Sequence, residues 1–115
     1  MIVMGTMLKQ SSFVKIHVAV PVSHADNIRK VLSAAGAGRQ GNYDFCSGSQ
    51  KQVGRFRPLS EAKPSIGKIG RVETVEEELI EVLCHIDLVK KVVEAVKAAH
   101  PYEEPAIDIL PRLEI

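Results

Sequence analysis

The stretch HVAVPVSHADNIRKVLSAAG (residues 17–36) has a counterpart in EVLCHIDLVKKVVEAVKAAH (residues 81–100), and this pair decides the fold. At a constant offset Ser23 aligns with Asp87, and each of the two is a predicted helix N-cap. Each stretch begins with the alternation of a strand and continues with the apolar spacing of an amphipathic helix. A strand–helix unit used twice, each time followed by another strand, predicts a βαββαβ order in an α+β, ferredoxin-like sandwich.

The strands of this motif have recognisable limits in the sequence. Residues 14–20 alternate as the first strand, and residues 78–86 (ELIEVLCHI) alternate as the third. The glycine-rich residues 36–70 are predicted to supply the second strand and an extended hairpin from Tyr43 through Phe56, and a short last strand covers residues 106–110. We expect an antiparallel sheet with both helices on one face.

Length and charge exclude several classes of protein. The chain has 115 residues, which is room for one domain. Its 15 Lys+Arg against 14 Asp+Glu leave a net charge of +1, too little for the electrostatic attraction that nucleic acids and anionic membranes require. Residues 1–13 lack the apolar core of a signal peptide and are predicted to be an N-terminal tail before a single domain at 14–115. Two cysteines without metal-motif spacing predict a reducing, cytoplasmic location.

The composition also predicts association between copies. Aromatic residues make up only 4% of the chain, and a domain of this size buries about two-thirds of its unfolded surface. The sheet face without helices combines leucines with polar side chains, as half-buried interfaces do. We therefore expect a homo-oligomer. The uncovered face is predicted to hold Lys15, Ala19 and Glu81, with His17, Leu79, Leu83 and His85 as interface residues.

The segment HPYEEP (His100–Pro105) is the densest group of polar side chains. His100 with Glu103 and Glu104 has the residue types for a divalent-cation site or an acid–base pair. The alternative is structural, because a histidine at a helix C-terminus interacts favourably with the helix dipole and loop glutamates are usually solvated. Both interpretations stay open at this point.

Other motifs favour structural roles. GAGRQG (residues 36–41) matches GxGxxG, but it follows a helix instead of opening one, so it predicts a helix cap and a turn. His17 and His85 fall on one predicted sheet face, where an interface role is favoured over a metal site. Cys46 has no nearby base that would form a thiolate. The acidic run Glu76–Glu78 is predicted to be a solvated strand edge.

Five motifs occur in a fixed order: GNYxxCS (41–47), GxFxP (54–58), PxIGxxG (64–70), ExVE (73–76) and HPYEEPAxD (100–108). Over about residues 14–111 they resemble the inserted domain of the YqfO-like, Nif-three-like "GTP cyclohydrolase I type 2 homologue" family. That insert is similar in fold to the PII signalling proteins and the CutA cation-tolerance proteins, so the resemblance implies a trimeric, PII/CutA-like domain. The family's dinuclear metal site lies in two flanking halves that these 115 residues do not include, so the resemblance carries over no metal pair and no hydrolase activity. Gly48 and Ile107 stand where aromatic residues are usual in the family, which weakens a stacking role at both positions.

Three hypotheses follow. The leading one is a non-enzymatic, homo-oligomeric module that binds a small ligand or a divalent metal at a cleft between protomers. The second is a structural or protein-partner-binding module, and the third is a metal-assisted hydrolase with water activated by the HPYEEP segment. No catalytic residue is assigned. The ligand-binding candidates are Tyr43, Cys46, His100, Tyr102, Glu103 and Glu104, of which His100, Glu103 and Glu104 are the metal candidates.

Overall fold

In the computed structural model, which describes residues 7–115, the predicted strand–helix unit occurs twice. The elements are β1 (Lys9–Gln10), β2 (Phe13–Pro21), α1 (Ala25–Ala34), β3 (Gly48–Phe56), β4 (Glu73–His85), α2 (Val89–Ala99), β5 (Ile107–Leu110) and β6 (Leu113–Glu114). Residues 1–6 of the predicted tail lie outside the described residues. The described part of that tail includes β1, which pairs with β6 as a small separate ribbon. No helix within residues 7–115 is long and apolar enough to cross a membrane.

Four strands form one antiparallel sheet in the order β3-β4-β2-β5. The register places Val18 of β2 opposite Ile80 of β4 on one side and Ile107 of β5 on the other. The order of the elements, the antiparallel pairing and the two helices confirm the predicted α+β, ferredoxin-like sandwich.

The core lies between the sheet and the two helices. Alternate residues of β2 and β4 point toward the helices, as the strand period requires. Burial of each aliphatic side chain there stabilises the fold by about 1.5–3 kcal/mol relative to exposure. The fully buried residues with the largest side chains are Ile16, Val18, Val20, Ile28, Leu32, Ile80, Cys84, Val92 and Val96.

The predicted helix N-caps are wrong in detail. Each strand enters its helix through a 3-10 turn, Val22–His24 before α1 and Ile86–Leu88 before α2. Ser23 and Asp87 lie inside these turns, so neither holds the cap position. The predicted C-terminal stop of α1 is confirmed, because Gly36 adopts φ +105° and its N–H donates to the carbonyl of Ser33.

The segment between α1 and α2 differs most from expectation. β3 starts at Gly48, after a loop in which Gln40 and Tyr43 exchange backbone hydrogen bonds, and not at Tyr43. β4 starts at Glu73, five residues before the predicted position, so β3 and β4 form a long pair joined by a loop over residues 57–72. The acidic run therefore lies within β4, and Glu77 is only 5% exposed. The prediction of a solvated acidic edge is wrong for Glu77.

Within residues 7–115, one face of the sheet has no helix packed on it, and we call it the open face. Cross-strand partners share a face, so the register fixes its members. The open face carries Phe13, Lys15, His17, Ala19, Pro21, Gly48, Gln50, Gln52, Gly54, Phe56, Glu73, Val75, Glu77, Leu79, Glu81, Leu83, His85, Asp108 and Leu110.

Candidate functional site

A groove of about 780 Å³ lies at one end of the open face. Three parts of the chain surround it: the end of β3, the first half of the β3–β4 loop and the HPYEEP segment. Phe56, Pro58, Leu59 and Ile66 give it apolar walls, and Glu77 and Tyr102 line it from the sheet and from the segment after α2. Its volume is in the range of small-molecule sites.

A buried carboxylate organises the groove. Glu77 Oε2 accepts a hydrogen bond of 2.6 Å from the hydroxyl of Tyr102, and Oε1 accepts one of 2.9 Å from Nε2 of Gln52. Burial first, and then the hydrogen bond to Glu77, raise the pKa of Tyr102 well above its usual value, so the phenol stays protonated and donates. Three side chains from β3, β4 and the segment after α2 are thus fixed to one another.

Gly54 makes room for this carboxylate. A Cβ built on Gly54 would lie 2.2 Å from Oε1 of Glu77 and 2.4 Å from its carboxyl carbon. Because Gly54 lies on β3 between Gln52 and Phe56 on the open face, any side chain there would displace Glu77 from its two hydrogen bonds. Gly54, the glycine of the GxFxP motif, therefore leaves the space that the Glu77 carboxylate occupies in the groove.

His100 supports the groove from behind and is itself 7% exposed. Its Nε2–H donates to the carbonyl of Ala19 at 2.7 Å, and its Nδ1 accepts from the N–H of Tyr102 at 3.1 Å. This pair of contacts requires the neutral Nε2–H tautomer. Burial lowers the pKa of His100, which favours the same neutral form. With both ring nitrogens engaged by the backbone, His100 positions Tyr102.

The remaining HPYEEP residues hold the β3–β4 loop. Glu103 Oε1 accepts a hydrogen bond of 3.0 Å from the N–H of Lys63, and the hydroxyl of Ser65 donates to the carbonyl of Pro101. The ring of Tyr102 meets the ring of Phe56 edge-on at 5.5 Å between centroids. The segment after α2 therefore closes the base of the loop over the groove.

The predicted metal set is not assembled as a cation site. Among residues 7–115, no group of three or more His, Cys, Asp or Glu side chains is placed to hold a metal ion. His100 faces the backbone of β2, whereas Glu103 faces the β3–β4 loop and Glu104 is exposed at the rim of the groove. The three side chains therefore face different surroundings.

Tyr43 and Cys46 lie at the opposite end of β3. The nine residues of that strand span about 26 Å. Tyr43 is 75% exposed, and Cys46 donates its N–H to the carbonyl of Gly38, which shapes the loop after α1. The six predicted ligand-binding residues therefore form two groups within one protomer, with Tyr102, Glu103 and Glu104 on the groove, His100 behind it, and Tyr43 and Cys46 far from it.

The predicted interface residues lie on the open face, where Leu83 separates a group around Glu81 from the pair formed by His85 and Phe13. Glu81 accepts hydrogen bonds from Lys15 at 2.6 Å and from His17 at 2.8 Å, and the bond from Lys15 is the main cause that lowers the pKa of Glu81. His85 contacts the ring of Phe13 edge-on at 5.2 Å, four residues along the strand from Glu81. The two histidines share a face without meeting.

Sequence reasoning missed Glu77 and Gln52, the two residues at the centre of the groove. The sequence did contain a signal for Glu77. It lies two residues before Leu79, so the alternation that places Leu79, Glu81 and Leu83 on the open face also places Glu77 there. Gln52 becomes recognisable only from the register, which pairs it directly with Glu77.

Comparison with known proteins identifies relatives for most of the chain. The "GTP cyclohydrolase 1 type 2 homolog" of Halalkalibacterium halodurans is 45% identical over 100 residues, covering 87% of this chain and 27% of the relative. The protein of the same name from Bacillus subtilis is 41% identical over 97 residues, covering 84% of this chain and 26% of the relative. The chain thus spans about a quarter of the length of these curated relatives. No family model matches it.

Solved structures agree with this relationship and with the fold. The "Bacillus cereus protein related to NIF3" superimposes with a TM-score of 0.75 at 40% identity, covering 93% of this chain and 27% of that one. The "Periplasmic divalent cation tolerance protein CutA" from Archaeoglobus fulgidus superimposes with a TM-score of 0.63 at 22% identity, covering 87% and 83% of the two chains. The chain is therefore homologous to one segment of the NIF3-like GTP cyclohydrolase 1 type 2 homologs, and it has the CutA-like, PII-like fold.

Proposed function

We propose that this chain is a non-enzymatic, homo-oligomeric module of the CutA/PII-like type, which binds a small ligand in the groove beside Glu77 and Tyr102. The observation that carries the proposal is the groove itself. It is a cavity of about 780 Å³ whose polar centre is fixed by hydrogen bonds from two neighbouring elements.

The open face supports the oligomeric part of the proposal. Leu79 and Leu83 are only half-buried within one protomer, and no helix of the described residues covers them. Completing the burial of each leucine contributes about 1 kcal/mol per protomer, and the ion pair of Lys15 with Glu81 gives the contact polar specificity. Because the groove opens at the end of this same face, a second protomer packed there becomes one of its walls.

Within the proposed oligomer, Tyr43 and Cys46 require a separate role. They belong to the loop at the far end of β3, so they reach a groove only if it is the groove of a neighbouring copy. We assign them to the contact between protomers and place ligand binding with Tyr102, Glu103 and Glu104. The free thiols of Cys46 and Cys84 fit a reducing, cytoplasmic location.

A hydrolase is disfavoured by the state of His100. A general base needs a free ring nitrogen within reach of water, and both nitrogens of His100 are engaged with backbone groups. The same engagement disfavours a metal centre built on His100, Glu103 and Glu104, so the proposal concerns an organic ligand.

A protein-binding role is the second candidate, and one observation favours it. β3 is an edge strand of nine residues, and most of its side chains are exposed. Such an edge can accept a strand from another chain through backbone hydrogen bonds. The edge carries Lys51 and Arg55, which favour an acidic partner segment.

Size-exclusion chromatography with light scattering, followed by thermal unfolding against a panel of small metabolites and divalent cations, tests the proposal. We expect a mass that is a multiple of the protomer and at least one organic compound that raises the unfolding midpoint. Phe56→Ala, which removes an apolar wall of the groove, is expected to abolish that increase. A monomer whose midpoint no compound moves contradicts the proposal.

A further inference from the structure

Glu77 is a buried carboxylate without a cation. Within residues 7–115 it is the only acidic side chain classed as buried, and its hydrogen-bond donors, Tyr102 and Gln52, are both neutral. The ion pairs of the described residues all lie elsewhere. A buried charge is costly unless it is paired, so this position calls for positive charge from outside the protomer.

The other charged residues that line the groove add to the negative charge of Glu77. Its lining includes four carboxylates against two guanidinium groups, which leaves an excess of negative charge beside apolar walls. Neither Arg55 nor Arg57 forms a hydrogen bond or ion pair with Glu77 in the described part of the chain. The groove therefore favours a positively charged occupant.

Two aromatic rings add to this preference. Phe56 and Tyr102 both line the groove, with their ring centroids 5.5 Å apart. The face of an aromatic ring attracts a cation, and it does so more strongly where water is excluded. An acidic centre next to aromatic and aliphatic walls selects an organic cation with an apolar body over a bare metal ion.

We propose that the groove binds a small organic cation, an amine or amidine, whose N–H groups pair with Glu77. The carboxylate retains acceptor capacity beyond the hydrogen bonds from Gln52 and Tyr102, so a bound ammonium or amidinium donates to it directly. Phe56 and Tyr102, in contact with each other, form an aromatic wall beside the apolar body, and the rim carboxylate of Glu104 extends the negative potential outward. This inference rests on the proposed ligand-binding function and names its ligand class.

Three probes of nearly equal shape and different charge test the inference: benzamidine, benzamide and benzoate. Isothermal titration calorimetry on the full chain is expected to show benzamidine binding at least tenfold more tightly than benzamide, with no detectable binding of benzoate. Glu77→Gln is expected to remove the preference for benzamidine. Glu94→Gln, at an exposed position of α2 outside the groove, is expected to retain it.

The outcomes separate this inference from the proposed function. Equal binding of benzamidine and benzamide that is lost in Phe56→Ala overturns the cation preference and leaves a ligand groove in place. If none of the three probes binds to an oligomer that responds to other compounds, the inferred cation preference is also overturned. Since the preference is measured first on the unaltered chain, a failure of Glu77→Gln to fold does not remove the test.

Discussion

Removing the hydroxyl of Tyr102 measures the strength of the network in the groove. In Tyr102→Phe, Glu77 Oε2 loses its 2.6 Å hydrogen bond, while the edge-on contact with Phe56 remains. Hydrogen bonds to charged groups contribute about 1.5–3 kcal/mol, and because Glu77 is only 5% exposed, water from the groove replaces the phenol only in part. We expect the free energy of unfolding to fall by about 2 kcal/mol.

Urea unfolding at one fixed protein concentration measures this change, because the stability of an oligomer depends on concentration. The chain offers a control in Ser60→Ala, where a hydroxyl is removed from an exposed side chain that does not line the groove. We expect that variant to differ from the unaltered chain by less than about 0.5 kcal/mol. Equal effects of the two substitutions would refute the reasoning, because they would show that the hydrogen bond to Glu77 adds no more to the free energy of unfolding than an exposed hydroxyl does.

Three further predictions follow from other contacts. Gly54→Ala places a Cβ 2.2 Å from Glu77 Oε1 and is expected to lower the free energy of unfolding by about 1–3 kcal/mol. Gly48→Ala, whose Cβ would have no atom within 4 Å, is expected to change that free energy little, and equal urea midpoints for the two variants would argue against the position of the Glu77 carboxylate. Leu83→Glu puts a charge on the open face and is expected to yield a monomer by light scattering, whereas Val22→Glu, at an exposed site, is expected to leave the oligomer intact. If Leu83→Glu still assembles, the contact between protomers lies elsewhere. Because burial lowers the pKa of His100 below its usual value near 6.5, stability should fall as pH decreases below that value. His100→Gln should flatten this slope in thermal unfolding, so an unchanged slope in that variant would contradict the assignment.

The fold was predictable because its signals are local and repeated. The alternation around Val18 and Ile80, followed each time by helical spacing, specifies two strand–helix units before any long-range contact is known. The helix caps were predicted wrongly, since Ser23 and Asp87 are also suitable residues for the 3-10 turns in which they lie.

The site was less predictable because it depends on pairing register. Nothing in the order of residues places Gln52 beside Glu77, or Tyr102 over both, until β3 is paired with β4 and the segment after α2 folds back. HPYEEP lies at the groove, but both ring nitrogens of its histidine bind backbone groups, the carbonyl of Ala19 and the N–H of Tyr102. A polar cluster in one loop shows which side chains are available, and only the tertiary fold determines which way they face.

Native mass spectrometry of the purified chain, with and without benzamidine, tests the central claim most directly. The protomer mass is 12.6 kDa. We predict a closed assembly at a whole multiple of that mass, which takes up one benzamidine per protomer and loses this uptake in Glu77→Gln. A 12.6 kDa monomer that binds no benzamidine would contradict the account.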